Sequence, residues 1–226
     1  MSERYIRNKN LISAQEQALL REKTVAVIGL GGLGGHIAEQ LARLGFGRLI
    51  LIDGDVAEES NLNRQLFVTE EGMGKPKAEL AIRRLEKVNS LAKYIPHHTR
   101  VTPENGPELL AGADLVMDAV DSIPTRLMLQ KLCKQLGLPL IHGSIGGWWG
   151  QVSVILPGDD TLSRVYSSED AVGEEKEYGN PAFTPAVVAS IQVAEALKFC
   201  LGRPGLLRNK LLCLDLLEHE YFTIEL

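Results

Sequence analysis

Apolar runs and amphipathic stretches alternate along most of this chain, and their order predicts its elements. The segment "KTVAVIGLGGLGGHIAEQLARLGFGRLILID" reads as an apolar strand, a glycine turn, a helix ending near Gly45 and a second apolar strand closing at Asp53. That is a βαβ unit. In "GKPKAELAIRRLEKVNS", Pro76 stands near a helix start and Ala78, Ile82, Leu85 and Val88 share one face, so a second crossover helix is expected. A strand from about Tyr94 to Val101 should follow it.

"ADLVMDAVD" reads as a buried strand ending in acids, and "IPTRLMLQKLCKQLG" as a helix stopped by Gly137. "PLIHGSIGG" and "WWGQVSVILPG" then read as consecutive strands with no helix between them, so the sheet turns antiparallel in its second half. A last helix, "PAVVASIQVAEALKFCLG", precedes two C-terminal strands. Ahead of all this, residues 1–22 carry Ile6, Leu11, Ile12, Ala18, Leu19 and Leu20 in a spacing that suits a helical lead-in packed on something larger. Residues 159–180 hold seven acidic residues and few apolar anchors, which predicts a mobile crossover loop. The predicted fold class is α/β, a Rossmann-like nucleotide-binding half continuing into a mixed, partly antiparallel sheet, with residues 1–226 as one domain.

Composition narrows this only at the margins. At 226 residues, 45% hydrophobic and 23% charged, the chain suits one globular domain with a large core. No uninterrupted apolar run approaches the roughly 20 residues of a bilayer span, so no membrane is expected. The charged start "MSERYIRNKN" lacks the apolar centre of a secretory signal, and a cytoplasmic location is expected. A net charge of −5 with no Lys/Arg run argues against nucleic acid as the partner. Cys133, Cys200 and Cys213 lie far apart without a C-x-x-C pair, so they read as apolar packers rather than a disulfide or zinc framework.

The candidate chemistry sits just after the first strand. Gly29, Gly31 and Gly34 form G-x-G-x-x-G at a strand-to-helix turn, with Asp53 at the end of the next strand and Asp55 beside it. Glycines let the backbone pass close to phosphates, a helix N-terminus offers oriented N–H groups, and a carboxylate accepts from ribose hydroxyls. By itself the pattern says nucleotide. Hydride transfer has no use for Arg64 and Lys77 so near, whereas cleaving an α–β phosphate bond builds negative charge that such cations stabilise. Asn61 and Gln65 are placed to orient phosphate oxygens, and Asp121 at a strand end to hold magnesium. Taken singly, each has an ordinary structural reading: Arg64 a surface cation, Lys77 a first-turn residue with Lys75 as the alternative to it, Asp118 and Asp121 helix caps.

"GLGGLG", "LIDGD", "NLNRQ", "GKPKAE", "DAVD" and "GQVSV" stand here in the order found in the ThiF/MoeB/HesA family, relatives of the adenylating domain of ubiquitin-activating enzymes, and the chain resembles that family from about Arg4 to its end. The resemblance implies a homodimer that uses ATP and magnesium to adenylate the C-terminal glycine of a small ubiquitin-like sulfur carrier protein ending in Gly-Gly. Pyrophosphate would leave, and the acyl adenylate would serve thiamine, molybdopterin or related sulfur-transfer biosynthesis. It further implies that Gly32 lies in the phosphate loop, Asp53 binds ribose, Asn61, Arg64, Gln65 and Lys77 attend the triphosphate, and Asp121 binds magnesium. "RYIRN" resembles the family's R-Y-x-R, which would send Arg7 into the neighbouring protomer's site.

The chain departs from many relatives in lacking both zinc-binding C-x-x-C pairs: "SRVY" stands at the first position and the sequence ends at Leu226 before the second, so no zinc is expected. The 159–180 segment has no cysteine either, so sulfur would come from another protein. Trp148 and Trp149 precede a strand, as packing residues or as the lining of a groove for a glycine tail. Alternative substrates are a carboxylate or carbonyl on a peptide or tRNA, and the alternatives to this enzyme are a NAD-dependent oxidoreductase or a non-catalytic dimeric scaffold.

Overall fold

The computed structural model describes residues 2–166 and 178–226. Among them one eight-stranded sheet runs in the order β3-β2-β1-β4-β5-β6-β7-β8. Strands β1 (Thr24–Ile28), β2 (Arg48–Ile52), β3 (Lys93–His97), β4 (Leu115–Asp118) and β5 (Leu140–Gly146) are parallel neighbours. From β5 onward, β6 (Trp149–Ile155), β7 (Lys210–Asp215) and β8 (Glu220–Glu225) pair antiparallel. The expected change of direction therefore falls at the β5–β6 hairpin, where no helix intervenes.

Side chains alternate between the two faces of the parallel half. Val25, Val27, Leu49 and Leu51 join the core beneath α2 (Gly32–Leu44), α3 (Lys77–Val88) and the long C-terminal helix, whereas Ala26, Ile28, Ile50 and Ile52 meet Leu127 and Leu129 of α5 (Ile123–Leu136) on the other face. Both faces are covered, which is why β1 reads as an unbroken apolar run. α3 starts after Pro76 and buries Ala78, Ala81 and Leu85, with Ile82 only half-buried.

Three expectations need correction. β3 ends at His97, and residues 98–102 lie in a loop along the cleft described below, so the strand expected to reach Val101 is shorter. The lead-in is helical as expected, a 3-10 turn, Glu3–Asn8, followed by α1 (Ala14–Glu22), but its buried face differs: Tyr5, Ile12, Gln17 and Leu20 are buried, while Leu11, Ala18 and Leu19 face outward. A short helix, α4 (Gly106–Leu109), precedes β4, and within 159–180 the chain forms a further one, α6 (Thr161–Val165), held by buried Thr161 and Leu162. A loop throughout 159–180 is thus wrong at its start, and the predicted mobility concerns residues 167–177, which lie outside the described residues. α7 (Phe183–Cys200) then packs Val188, Ala189, Val193 and Ala196 into the core.

Candidate functional site

The parallel strands end at a cleft of about 1020 Å³, lined by the glycine turn and by residues following β2, β3 and β4. That volume lies at the upper end of the roughly 300–1,000 Å³ typical of small-molecule sites. Topology places it there, because the chain runs from β1 outward through β2 to β3 on one side and then crosses back to β4 on the other side of β1, which opens a crevice at the strands' carboxyl ends.

The four glycines of the turn divide into two pairs. Gly29 has φ +89°, and a Cβ there would stand 2.5 Å from the Ala119 carbonyl oxygen. A Cβ on Gly34 would stand 1.8 Å from the Gly29 carbonyl oxygen, so Gly34 lets α2 close onto β1 and does not itself line the cleft. Gly31 and Gly32 do line it, beneath the side chains of Gln65 and Arg64. Their bare backbone, with the unpaired first-turn N–H groups of a 13-residue helix, suits an anion.

Asp53 closes β2 and is buried against this turn. Its Oδ2 accepts from the Leu30 N–H at 2.7 Å and its Oδ1 from the Asp55 N–H at 2.8 Å. Burial raises its carboxyl above the usual range, and those two donors with the nearby Lys77 charge only partly oppose that rise. Asp55 behaves oppositely: burial would raise it too, but the Arg100 hydrogen bond at 3.0 Å and Lys77 at 3.2 Å hold it below the usual carboxylate range. Lys77 enters from the first turn of α3, buried to 7% exposure, with its ammonium at the cleft wall. A cation so little exposed requires a partner, and Asp55 supplies it.

The "NLNRQ" segment wraps the turn from above. Asn61 is buried, its Oδ1 accepting from the Glu58 N–H at 3.1 Å. Arg64 donates to the Ser60 carbonyl at 3.0 Å and to Asn63 Oδ1 at 2.8 Å, which lays its stem over Gly32. Gln65 is also buried, and its Oε1 has no partner among the described residues. Such an orphaned amide over a bare glycine turn fits a polar ligand between them. Asn180 repeats the pattern at the far lip, with a buried Oδ1 likewise unpartnered among the described residues.

Asp121 lines the same cleft from the turn after β4, with an exposed side chain. Asp118 does not: it is fully buried and bonded to His142. The two acids that looked alike in sequence therefore have different work. Arg7 stands apart from the rest. Tyr5, in the same 3-10 turn, packs against Gly45 at the C-terminal end of α2, so the 13 residues of that helix, roughly 20 Å at 1.5 Å per residue, separate the turn from its own chain's cleft.

Arg100 and Arg126 were not foreseen. Arg100 lies in the loop misread as strand, and buried Arg126 shares the apolar face of α5 with Ile123, Leu127 and Gln130. A cation at that spacing within an apolar stripe was the available signal for Arg126. The cysteines offer no nucleophile here: burial pushes the Cys133 and Cys200 thiols up to about 12 and raises Cys213 as well.

A bare glycine turn, the Asp53 carboxylate, the cations Arg64 and Lys77 and the outlying Asp121 carboxylate around a single cleft can bind a nucleoside triphosphate and stabilise a departing pyrophosphate. Known proteins agree with that chemistry. A profile of the ThiF family matches residues 4–226. The sulfur carrier protein adenylyltransferase of Thermus thermophilus is 37% identical over 219 residues, covering 93% of this chain and 81% of that protein. The SAMP-activating enzyme E1 of Haloferax volcanii is 33% identical over 216 residues, covering 94% of this chain and 80% of that protein. The crystal structure of Escherichia coli MccB with MccA-N7isoASN superposes with a TM-score of 0.86 at 23% identity, over 99% of this chain and 71% of that one, a likeness of fold. With its family profile spanning the chain and its relatives alike over four fifths of their length, the protein belongs to the ThiF family and is an adenylyltransferase.

Proposed function

We propose that this enzyme uses ATP and magnesium to adenylate the C-terminal glycine carboxylate of a small ubiquitin-like sulfur carrier protein, releasing pyrophosphate, and that it serves thiamine, molybdopterin or a related sulfur-transfer biosynthesis. The observation that carries this reading is the convergence of Lys77, Arg64 and Asp121 on the cleft that holds Gly31 and Gly32. The names of the Thermus and Haloferax relatives support the choice of a carrier protein as substrate.

Under this reading the Asp53 carboxylate takes the ribose hydroxyls, since each of its oxygens has one lone pair left after the backbone bonds. Asn61 and Gln65 orient the triphosphate, and Arg64 with Lys77 faces the leaving pyrophosphate. Asp121 fits magnesium, which binds through one or two carboxylates and substrate phosphates and does not need a protein cage. Bound there, it would neutralise phosphate charge as the α–β bond breaks. The carrier's carboxylate attacks the α-phosphorus in line, so no covalent protein intermediate is needed. Because Arg7 lies at the wrong end of α2 for its own cleft, it would act across a homodimer, in the neighbouring site.

ATP–pyrophosphate exchange with purified carriers ending in Gly-Gly tests the proposal. Exchange that depends on the carrier and on its last glycine is expected. Nucleotide binding without exchange for any such carrier would redirect the assignment to another carboxylate.

A further inference from the structure

The turn between β4 and α5 is gripped from both sides at one residue. Asp118 Oδ1 accepts the Val120 N–H at 3.1 Å, and Arg126 donates to the Val120 carbonyl at 3.0 Å. Neither group drifts freely. The other carboxylate oxygen of Asp118 meets His142 Nδ1 at 2.7 Å, and its backbone carbonyl accepts from Gln192 at 2.9 Å. His142 is in turn set edge-on to the Tyr166 ring, whose hydroxyl accepts from Gln151 at 2.7 Å. Asp118, His142 and Gln192 are fully buried, and Arg126 is 2% exposed. One residue beyond the grip, Asp121 projects into the cleft.

The turn is anchored at its start by the Ala119 N–H, which donates to the Ile28 carbonyl at 3.0 Å, and beyond that point the Val120 backbone is fixed by two buried side chains. Two buried ionisable side chains devoted to the backbone of one residue are a costly way to make an ordinary turn. We infer that Asp118 and Arg126 are positioning residues for Asp121, holding Val120 by its N–H and its carbonyl, with His142 keeping Asp118 oriented. This rests on the reading of Asp121 as the magnesium-binding carboxylate. Outer residues that orient a metal-binding carboxylate typically change metal affinity by 10–100-fold when removed.

The test uses Asp118→Ala, Asp118→Asn and Arg126→Gln in the full chain, with Asp121→Ala as control. In the nucleotide-free protein, amide exchange at Val120 and Asp121 read by NMR should quicken by about fivefold or more in Asp118→Ala, the effect of losing one hydrogen bond. The magnesium concentration for half-maximal pyrophosphate exchange should rise by about tenfold or more, with KM for ATP at saturating magnesium nearly unchanged. Asp118→Asn keeps an acceptor for Val120 and should recover most of both. If Asp118→Ala does not fold, Arg126→Gln reads the other side of the same grip. Unchanged amide exchange and magnesium requirement in the folded variants, with Asp121→Ala inactive, would overturn the positioning role alone. An Asp121→Ala enzyme with normal magnesium dependence would overturn the role of Asp121 and, with it, this inference.

Discussion

Lys77 is tied to Asp55 twice: its backbone N–H donates to the Asp55 carbonyl at 3.0 Å, and its ammonium reaches the carboxylate at 3.2 Å. The first bond fixes where α3 begins, and the second fixes where its first side chain points. Arg100 shares the same carboxylate, so Asp55 is already charge-balanced when Lys77 turns to a phosphate. Lys77→Met should therefore lower ATP–pyrophosphate exchange by about a hundredfold or more, the scale for removing one preorganised electrostatic group. The thermal midpoint should fall little, because the methionine keeps the buried stem. A variant with near-normal exchange would assign the leaving-group charge to Arg64 alone.

The glycine pairs predict opposite failures. Gly34→Ala drives a methyl into the Gly29 carbonyl and should destabilise by ~3 kcal/mol or more, seen as loss of soluble folded protein. Gly31→Ala meets only Gln65 Nε2 at 3.6 Å and should fold, yet bind ATP more weakly by calorimetry. A stable Gly34→Ala protein would mean that α2 can slide along β1.

Stability should depend on mild acid through His142. Burial, opposed by the Asp118 hydrogen bond and reinforced by the Arg126 charge, holds its ring below the usual histidine value. The folded state thus resists a proton that the unfolded chain takes up below about pH 6.5, so stability falls as pH drops through that value. Each such site contributes up to ~1.4 kcal/mol per pH unit, and His36, lowered by burial, adds in the same sense. Denaturant melts of His142→Asn between pH 7.5 and 5 should show a shallower fall than the parent protein. Equal slopes would place the proton uptake elsewhere.

If Arg7 serves the neighbouring cleft, two dead variants should repair each other. Arg7→Ala and Asp121→Ala, each inactive as a homodimer, would leave one intact site in every mixed dimer, or about a quarter of all sites under random pairing of equal amounts. Pyrophosphate exchange after co-refolding measures it. No recovery, with mixed dimers demonstrated, would confine Arg7 to its own chain or to the surface.

What the sequence disclosed, and what it hid, follows from the range of the interactions. The βαβ unit was legible because the period changes from 2 to 3.6 across "GLGGLG", and Asp53, Asp55, Asn61, Arg64, Gln65 and Lys77 fall within 25 residues of one another and line one cleft. Asp118 was not separable from Asp121, because its partner His142 is 24 residues away on the next strand. Arg100 escaped for a similar reason: the strand expected to run to Val101 is turned aside at His98, where Arg100 reaches the Asp55 carboxylate 45 residues earlier in the chain. Residues 159–166 looked bare of anchors, yet α6 is seated by buried Thr161 and Leu162 and by Gln130, which accepts from the Leu162 N–H and donates to the Ser163 hydroxyl.

The cleft draws its lining from residues 28–126 apart from Ile145 and Asn180, whereas the antiparallel strands β6 to β8 contribute nothing to it. Phosphate chemistry and the outer sheet, where Trp149, Tyr221, Phe222 and Ile224 lie exposed, thus occupy separate territories of one continuous sheet. Those four exposed side chains can therefore change without touching the cleft, while Gln151 of the same outer sheet stays bonded to Tyr166 beside His142.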